Sequence, residues 1–379
     1  MRCVATTAFG LEAVLKRELT GYGFSITDSA HGRIYFEANV RGMVRANLRL
    51  RTAERVYVVL GAKRVETFDE LFDWIESLPL GKYLHEQGQY IVNAKSHKST
   101  LFSVRDIQSI GKKALIRSLQ KSYGTEIFPE TKEKYALLIN IQKDNAELWL
   151  DTSGIALHKR GYRKQTGKAP LKETLAAALV LLSHYHETRT LYDPFCGSGT
   201  IPIEAAMVAK NIAPGLHRRF AFQRFFWVSK EAYTIERREA LKAIKHEPIK
   251  PIVASDSDPG AIASAKENAE KAGVDEEIHF EIADFSHQIF SEPAPVFITN
   301  PPYGERMGKE EVSALYKSVG EILKKKPEAS FYILTPVSGV EQLLGKKADR
   351  TRVLFNGPIK TRLYQYIGPP PKKNEKSRT

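Results

Sequence analysis

The chain has 379 residues, 42% of them hydrophobic, which is too long for one ordinary domain and apolar enough for real cores. Its formal net charge is +13, a surplus that favours a polyanionic partner. No apolar run could span a bilayer, no apolar segment follows the basic start, and Cys3 and Cys196 lie too far apart for a disulfide framework or a cysteine zinc site, so a cytoplasmic monomer is expected.

Residues 4–7 predict a short strand, and helical spacing follows over 11–19 until Gly21 or Gly23 ends it. Strands over 33–37 and 56–60 flank a helix over 40–50. The alternation suggests a ferredoxin-like α/β layer over residues 1–65. A second block, 66–155, has an amphipathic helix over 68–75 and a strand over 89–95. A basic helix over 104–122 carries Lys112, Lys113 and Arg117, and a hairpin over 135–151 turns near Asn145. Basic helix and strands together suggest a surface that holds a nucleic-acid backbone. The linker 156–168 is basic too. Lys159, Arg160, Arg163, Lys164, Lys168 and Lys172 meet no carboxylate before Glu173, and Tyr162 lies among them, a pattern that suggests RNA contact.

From residue 169 to 368 strands and helices alternate. Helices are expected over 171–184, 201–210, 231–244, 260–272 and 312–325. Strands are expected over 191–193, 252–256, 278–282, 296–299 and 331–335, with two closing strands in 350–366 around Gly357-Pro358. That alternation predicts a doubly wound α/β sheet. The tail 369–379, Pro-rich and then charged, is expected to be disordered.

The chemistry concentrates at strand ends in this third block. Asp193-Pro194-Phe195-Cys196-Gly197-Ser198-Gly199-Thr200 joins a strand to a helix, with glycines that admit a ligand close to the backbone. No lysine follows them, so neither a phosphate loop nor a dinucleotide fingerprint fits. An acidic first residue suits an ammonium group, and the amides of the loop and the helix start suit a carboxylate. Asp256 ends the next strand and can accept from ribose hydroxyls, while Asp258 beside it fits a helix cap. Asp284, after the strand that follows, can accept from an adenine amino group, and Phe285 can cover the ring. Asn300-Pro301-Pro302-Tyr303 forms a stiff corner after the apolar run 295–298. The Asn300 side-chain oxygen and the Pro301 carbonyl can accept both hydrogens of an exocyclic amine, and Tyr303 can stack on the heterocycle.

These motifs together resemble the class I S-adenosylmethionine-dependent methyltransferases that act on exocyclic amines of nucleic-acid bases. The 193–200 segment is similar to the methionine loop of the RNA guanine-N2 branch. The resemblance implies cofactor contacts from Thr174, Asp193, Phe195, Cys196, Gly197, Ser198, Gly199, Thr200, Asp256, Asp284 and Phe285, and target recognition by Asn300, Pro301 and Tyr303. The first half resembles the ferredoxin-like plus THUMP arrangement of RNA methyltransferases, with 157–163 as its linker. RNA contacts are then expected from Lys112, Lys113, Arg117, Lys159, Arg160, Tyr162 and Arg163. The implied activity is N2-methylation of guanine in structured RNA, 23S ribosomal RNA above all. Transfer-RNA guanine N2, adenine N6 in DNA or RNA, and a non-catalytic assembly factor remain the alternatives. Cys196 sits in the cofactor loop, away from the target-base corner, and reads as loop packing rather than a nucleophile.

Overall fold

The computed structural model describes residues 1–163, 170–303 and 308–369. The expected disordered tail, apart from Pro369, and the linker residues Lys164 and Lys168 lie outside them. The chain forms two compact units.

The first unit begins with β1 (Arg2–Thr6), α1 (Glu12–Gly21), whose start belongs with residues 8–14 to the second unit, β2 (Ser25–Ala30), β3 (Arg33–Glu37), α2 (Val40–Arg49) and β4 (Arg55–Arg64). This is the ferredoxin-like order, with one strand more than the sequence suggested. β2 was hidden because it is an edge strand with the polar sequence Ser-Ile-Thr-Asp-Ser-Ala, mostly exposed and paired only with β3. Next come α3 (Phe68–Ser77), β5 (Gln89–His97), α4 (Val104–Tyr123), β6 (Lys134–Gln142) and β7 (Asn145–Asp151). Thr67 and Glu70 form a reciprocal cap on α3, and Ser103 caps α4. Lys143 and Asp144, both at positive φ, make the two-residue turn between β6 and β7. β4 pairs antiparallel with β7, Tyr57 opposite Asp151, so one sheet runs β2-β3-β1-β4-β7-β6-β5. The expected boundary near residue 65 therefore falls inside a continuous sheet.

The second unit contains α5 (Glu173–Leu182), β8 (Leu191–Asp193) and α6 (Thr200–Ala209). The next helix, α7 (Lys230–Lys242), belongs elsewhere. Residues 218–242 pack in the first unit, whereas the sequence assigned them to the methyltransferase-like sheet. Within the first unit Phe225 stacks on Tyr135 at 4.9 Å, Trp227 donates to the Tyr83 carbonyl at 3.0 Å, and Arg41 and Arg45 bind the buried Glu236 carboxylate. The second unit resumes with β9 (Ile252–Asp256), α8 (Pro259–Ala272), β10 (Ile278–Ile282), β11 (Val296–Thr299), α9 (Lys309–Lys325), β12 (Ser330–Thr335), α10 (Val340–Leu344), β13 (Arg350–Asn356) and β14 (Ile359–Tyr366). Its sheet order is β10-β9-β8-β11-β12-β14-β13, with β14 alone running antiparallel to the other strands. Phe297 and Phe331 stack at 4.3 Å in a core that also holds Tyr192, Phe290 and Tyr316. The short α10 was not foreseen, since one turn and a half leaves little periodic signal.

Candidate active site

Chain order reverses between β8 and β11. The strands on one side of that line run β8, β9, β10 outward, and those on the other run β11, β12. Open parallel sheets leave a crevice at the carboxyl ends beside such a reversal. Four adjacent strands, β10, β9, β8 and β11, deliver Asp284, Asp256, Asp193 and Asn300 at or just beyond their carboxyl ends.

Asp193 is 1% exposed. Its Oδ1 accepts from the Thr299 hydroxyl at 2.8 Å and from the Phe195 amide at 3.4 Å. Burial, reinforced by the nearby Asp256 charge, pushes its carboxyl up to about 7. The Thr299 bond ties the first residue of the glycine loop to the residue before Asn300. Loop and corner are thus one hydrogen bond apart. Thr299 was missed in the sequence, where it reads as the end of an apolar strand.

The loop itself is held from below. Gly197 donates to Asp256 Oδ2 at 2.9 Å, Cys196 donates to the Ser255 carbonyl at 2.9 Å, and Asn268 of α8 donates to the Ser198 carbonyl at 3.0 Å. Gly197 and Gly199 have φ of +53° and +79°. A methyl group on Gly197 would enter open space, while one on Gly199 would meet the Ala265 Cβ at 3.0 Å. The first glycine therefore keeps a cradle clear, and the second lets two helices approach. Asp256 Oδ1 also accepts from the Asp258 amide at 3.1 Å, and Asp258 caps α8 through the Gly260 amide at 2.8 Å, as expected. Asp284 is exposed, and the Ser286 hydroxyl and amide hold its carboxyl below the usual range. Phe285, expected to cover an adenine ring, is instead 5% exposed and packs on Phe195 and Phe290. The half-buried Phe195 is the ring that the loop presents. Cys196 is buried, and burial raises its thiol far above the range of a reactive cysteine. Asn300 and Tyr303 are half-buried at the corner, with Pro301 buried between them. Thr174 is buried in the first turn of α5.

This donor set fits an amino-acid-bearing nucleoside. Asp193 keeps Oδ2 outside both of its bonds, Gly197 leaves room over the loop, and the Asp256 and Asp284 carboxylates retain accepting capacity toward hydroxyl and amino groups.

The expected RNA-binding residues divide. Lys113, Arg117 and Lys159 are exposed. Lys112 is half-buried, bonded to the Tyr90 carbonyl at 2.6 Å and to Glu130 at 3.1 Å. Arg160 and Tyr162 are buried at 3% and 2% exposure, which corrects their assignment to RNA. Arg160 pairs with the fully buried Glu204 of α6 at 3.2 Å, and the Tyr162 hydroxyl donates to the same carboxylate at 3.3 Å. Arg163 donates to the Thr200 hydroxyl and to the Leu171 carbonyl, and its Nε lies 3.5 Å from the Glu173 carboxylate. A phosphate contact requires an accessible cation. These side chains instead bind α5 and α6 together beneath the glycine loop, and Arg163 holds the hydroxyl of Thr200, a residue that the sequence assigned to the cofactor. The readable clue was a single acid, Glu204, in the otherwise apolar helix 200–209.

Comparison with known proteins agrees with this arrangement. Residues 160–365 match the family described as "RMKL-like, methyltransferase domain", residues 2–57 the RlmL ferredoxin-like domain, and residues 65–151 the THUMP domain. The chain is 41% identical to the "Putative RNA methyltransferase YpsC" of Bacillus subtilis, covering 98% of each. It is 33% identical to the "Ribosomal RNA large subunit methyltransferase K/L" of Legionella pneumophila, over 94% of this chain and 52% of that protein. Two solved structures have the same architecture. One, from Listeria monocytogenes and described as a "predicted N6-adenine-specific DNA methylase", is 42% identical with a TM-score of 0.92, covering 97% of this chain and 96% of that one. The other, "a putative methyltransferase complexed with SAH", is 37% identical with a TM-score of 0.91, covering 97% and 98%. The glycine loop, the acidic strand ends and these matches agree: the chain belongs to the RMKL-like family, and is a class I S-adenosylmethionine-dependent RNA methyltransferase with a ferredoxin-like and a THUMP domain, related to the bacterial large-subunit ribosomal RNA methyltransferases K/L.

Proposed function

We propose that the protein methylates the exocyclic N2 of a guanine in structured RNA, with large-subunit ribosomal RNA as the substrate. The observation that carries this is the Thr299–Asp193 hydrogen bond, which joins the amine-binding corner to the cofactor loop. A relative that acts on large-subunit ribosomal RNA, by its name, and the THUMP domain support the choice of RNA.

S-adenosylmethionine supplies an electrophilic methyl group on a sulfonium. The residues of this chain do the rest by placement. An exocyclic amine is a weak nucleophile because its lone pair is shared with the ring. Asn300 Oδ1 and the Pro301 carbonyl accept its two hydrogens, which favours a pyramidal nitrogen and offsets the positive charge that develops there. The two prolines keep the Pro301 carbonyl out of the strand ladder. Tyr303 stacks on the displaced base, whose extraction costs a few kcal/mol and less if the base is already unpaired. Asp193 holds Thr299, and so keeps the corner in register with the loop.

Adenine N6 offers the same amine chemistry, and one similar structure is described as an N6-adenine-specific DNA methylase. Nucleoside mass spectrometry of RNA and DNA from a gene-deletion strain separates the two readings. Loss of N2-methylguanine from large-subunit RNA is expected. Unchanged N2-methylguanine with loss of N6-methyladenine would overturn the proposal. In methyl transfer to that RNA, Asn300→Ala should lower kcat about 10²–10³-fold, as removal of one preorganised hydrogen-bond partner does elsewhere. Incorporation equal to wild type would remove Asn300 from the reaction.

A further inference from the structure

The strands of the second unit's sheet do not end level with one another. β12 ends at Thr335, which faces Arg362 of β14. Beyond that pair the hairpin continues through Thr361 opposite Leu354, Lys360 opposite Phe355 and Ile359 opposite Asn356, and then turns. At ~3.3 Å per residue, β13 and β14 overhang the carboxyl edge of β12 by about 10 Å. Asn300 leaves the sheet at this same edge, since Thr299 of β11 faces Ile333 of β12. Alternation decides which side of the overhang looks toward the corner. Phe331 and Ile333 share a core with Tyr316 of α9, whose hydroxyl donates to Thr335 at 2.7 Å. Tyr303 lies within electrostatic range of that hydroxyl. Directly opposed residues lie on one face, so Arg362, Lys360 and Phe355 continue the row past Thr335. Lys360 and Arg362 are exposed, and among the described residues neither pairs with a carboxylate.

A second aromatic ring reaches this hairpin from the start of the chain, because residues 8–14 belong to the second unit. Gly10, at φ +88°, lies so close to β13 that a methyl group on it would meet the Val353 carbonyl oxygen at 2.7 Å. Arg352 donates to the Gly10 carbonyl at 3.0 Å. The loop held in this way sets Phe9 against Phe355, edge to face at 5.8 Å, and leaves Phe9 48% exposed. A single exposed ring needs no explanation. Two rings beside two uncovered cations, on the edge that carries the amine-binding corner, match an unpaired nucleic-acid strand, whose bases stack and whose phosphates carry the charge. Drawing one base into the corner strips its neighbour of a stacking partner. The overhang offers that neighbour a ring in its place.

We propose that the overhanging hairpin holds the nucleotide next to the methylated one, with its base stacked on Phe9 and its phosphates on Lys360 and Arg362. The inference rests on the reading of residues 300–303 as the target corner and adds the strand that leads into it. Stacking and phosphate pairing tolerate any base, so the hairpin fixes the position of the strand rather than its sequence.

The test uses the full chain, labelled S-adenosylmethionine and total RNA from a gene-deletion strain. Phe9→Ala should raise KM for RNA about 5–150-fold, the loss of one base stack, and change kcat far less. Phe9→Trp keeps a stacking face and should keep the wild-type KM. Lys360→Gln combined with Arg362→Gln should raise KM too. In filter-binding titrations of the same RNA at several salt concentrations, that pair should reduce the slope of log K against log salt by about 0.7 for each phosphate lost. Lys360→Arg combined with Arg362→Lys retains both charges and should restore KM and slope. Cofactor affinity by calorimetry and melting temperature should match wild type in every hairpin variant, which separates a lost contact from a damaged fold. Asn300→Ala distinguishes the two levels. If it lowers kcat while Phe9→Ala and the glutamine pair keep wild-type KM and slope, the corner stands and the hairpin inference falls. If Asn300→Ala transfers methyl groups as wild type does, the corner falls and the hairpin inference with it.

Discussion

Asp193 is a buried carboxyl whose neutral form is favoured up to about pH 7, and it is the residue proposed to face the cofactor's ammonium group. Two effects of opposite sign follow. Below about 7 the folded protein holds a proton that the unfolded chain releases near 3.8, so Asp193 should lower stability as pH rises through that window and have no further effect above it. Binding of S-adenosylmethionine needs the charged form, so affinity should fall about tenfold per pH unit below 7 and level off above it. Calorimetric titrations between pH 5.5 and 8 on wild type and Asp193→Asn check this. A pH-independent wild-type affinity would mean that Asp193 serves only to anchor Thr299. The positions of Asp193, Asp256 and Asn300 at adjacent strand ends were legible in the sequence, because each lies within a few residues of a Gly or Pro signal. Thr299 and Asn268 were not, since their roles depend on partners 106 and 70 residues away.

Individual elements show where local reading stops. The glycine loop and the Asp258 cap are short-range features, and the structure has both in the expected form. Gly199→Ala should cost roughly 1–2 kcal/mol for the left-handed backbone alone, with the Ala265 contact added. Gly197→Ala pays the backbone cost without that contact, so a comparison of the two melting temperatures isolates the helix contact. Arg160 and Arg163 were misread because they pair with acids on later elements, Glu204 and Glu173, and composition cannot show that. Arg160→Glu or Glu204→Gln should destabilise the second unit by about 3–5 kcal/mol, the usual result of breaking a buried ion pair. Thermal melts and RNA titrations on the same variants decide the matter. Full stability with weakened RNA binding would restore Arg160 to the RNA surface.

At the scale of the molecule, the alternating third block announced a doubly wound sheet, and the first block announced a ferredoxin-like layer. The sequence did not reveal that residues 218–242 leave one unit for the other, because α7 has the same periodicity wherever it packs. The excursion starts and ends beside itself, since Asn211 donates to the Ala243 carbonyl at 2.9 Å and the Lys245 amide donates to Lys210 at 2.8 Å. A fragment starting at residue 158 should therefore aggregate, with Phe225 and Trp227 stripped of Tyr135 and Tyr83. The same fragment with residues 218–242 replaced by a Gly/Ser linker should stay soluble and bind S-adenosylmethionine. Size-exclusion chromatography and calorimetry on both fragments read the outcome, and equal behaviour would show that the excursion is dispensable.

That excursion also sets a clock on biosynthesis. A ribosome releases the first unit's sheet by residue 151, but its partners Phe225 and Glu236 are still unmade. At ~5–20 residues per second, the roughly 85 residues between 157 and 242 take about 4–17 s. During that interval the Tyr135 face and the Arg41–Arg45 pair stand bare on a nascent chain. Stalled ribosome complexes of increasing length should stay protease-sensitive in this unit until residue 242 has cleared the exit tunnel.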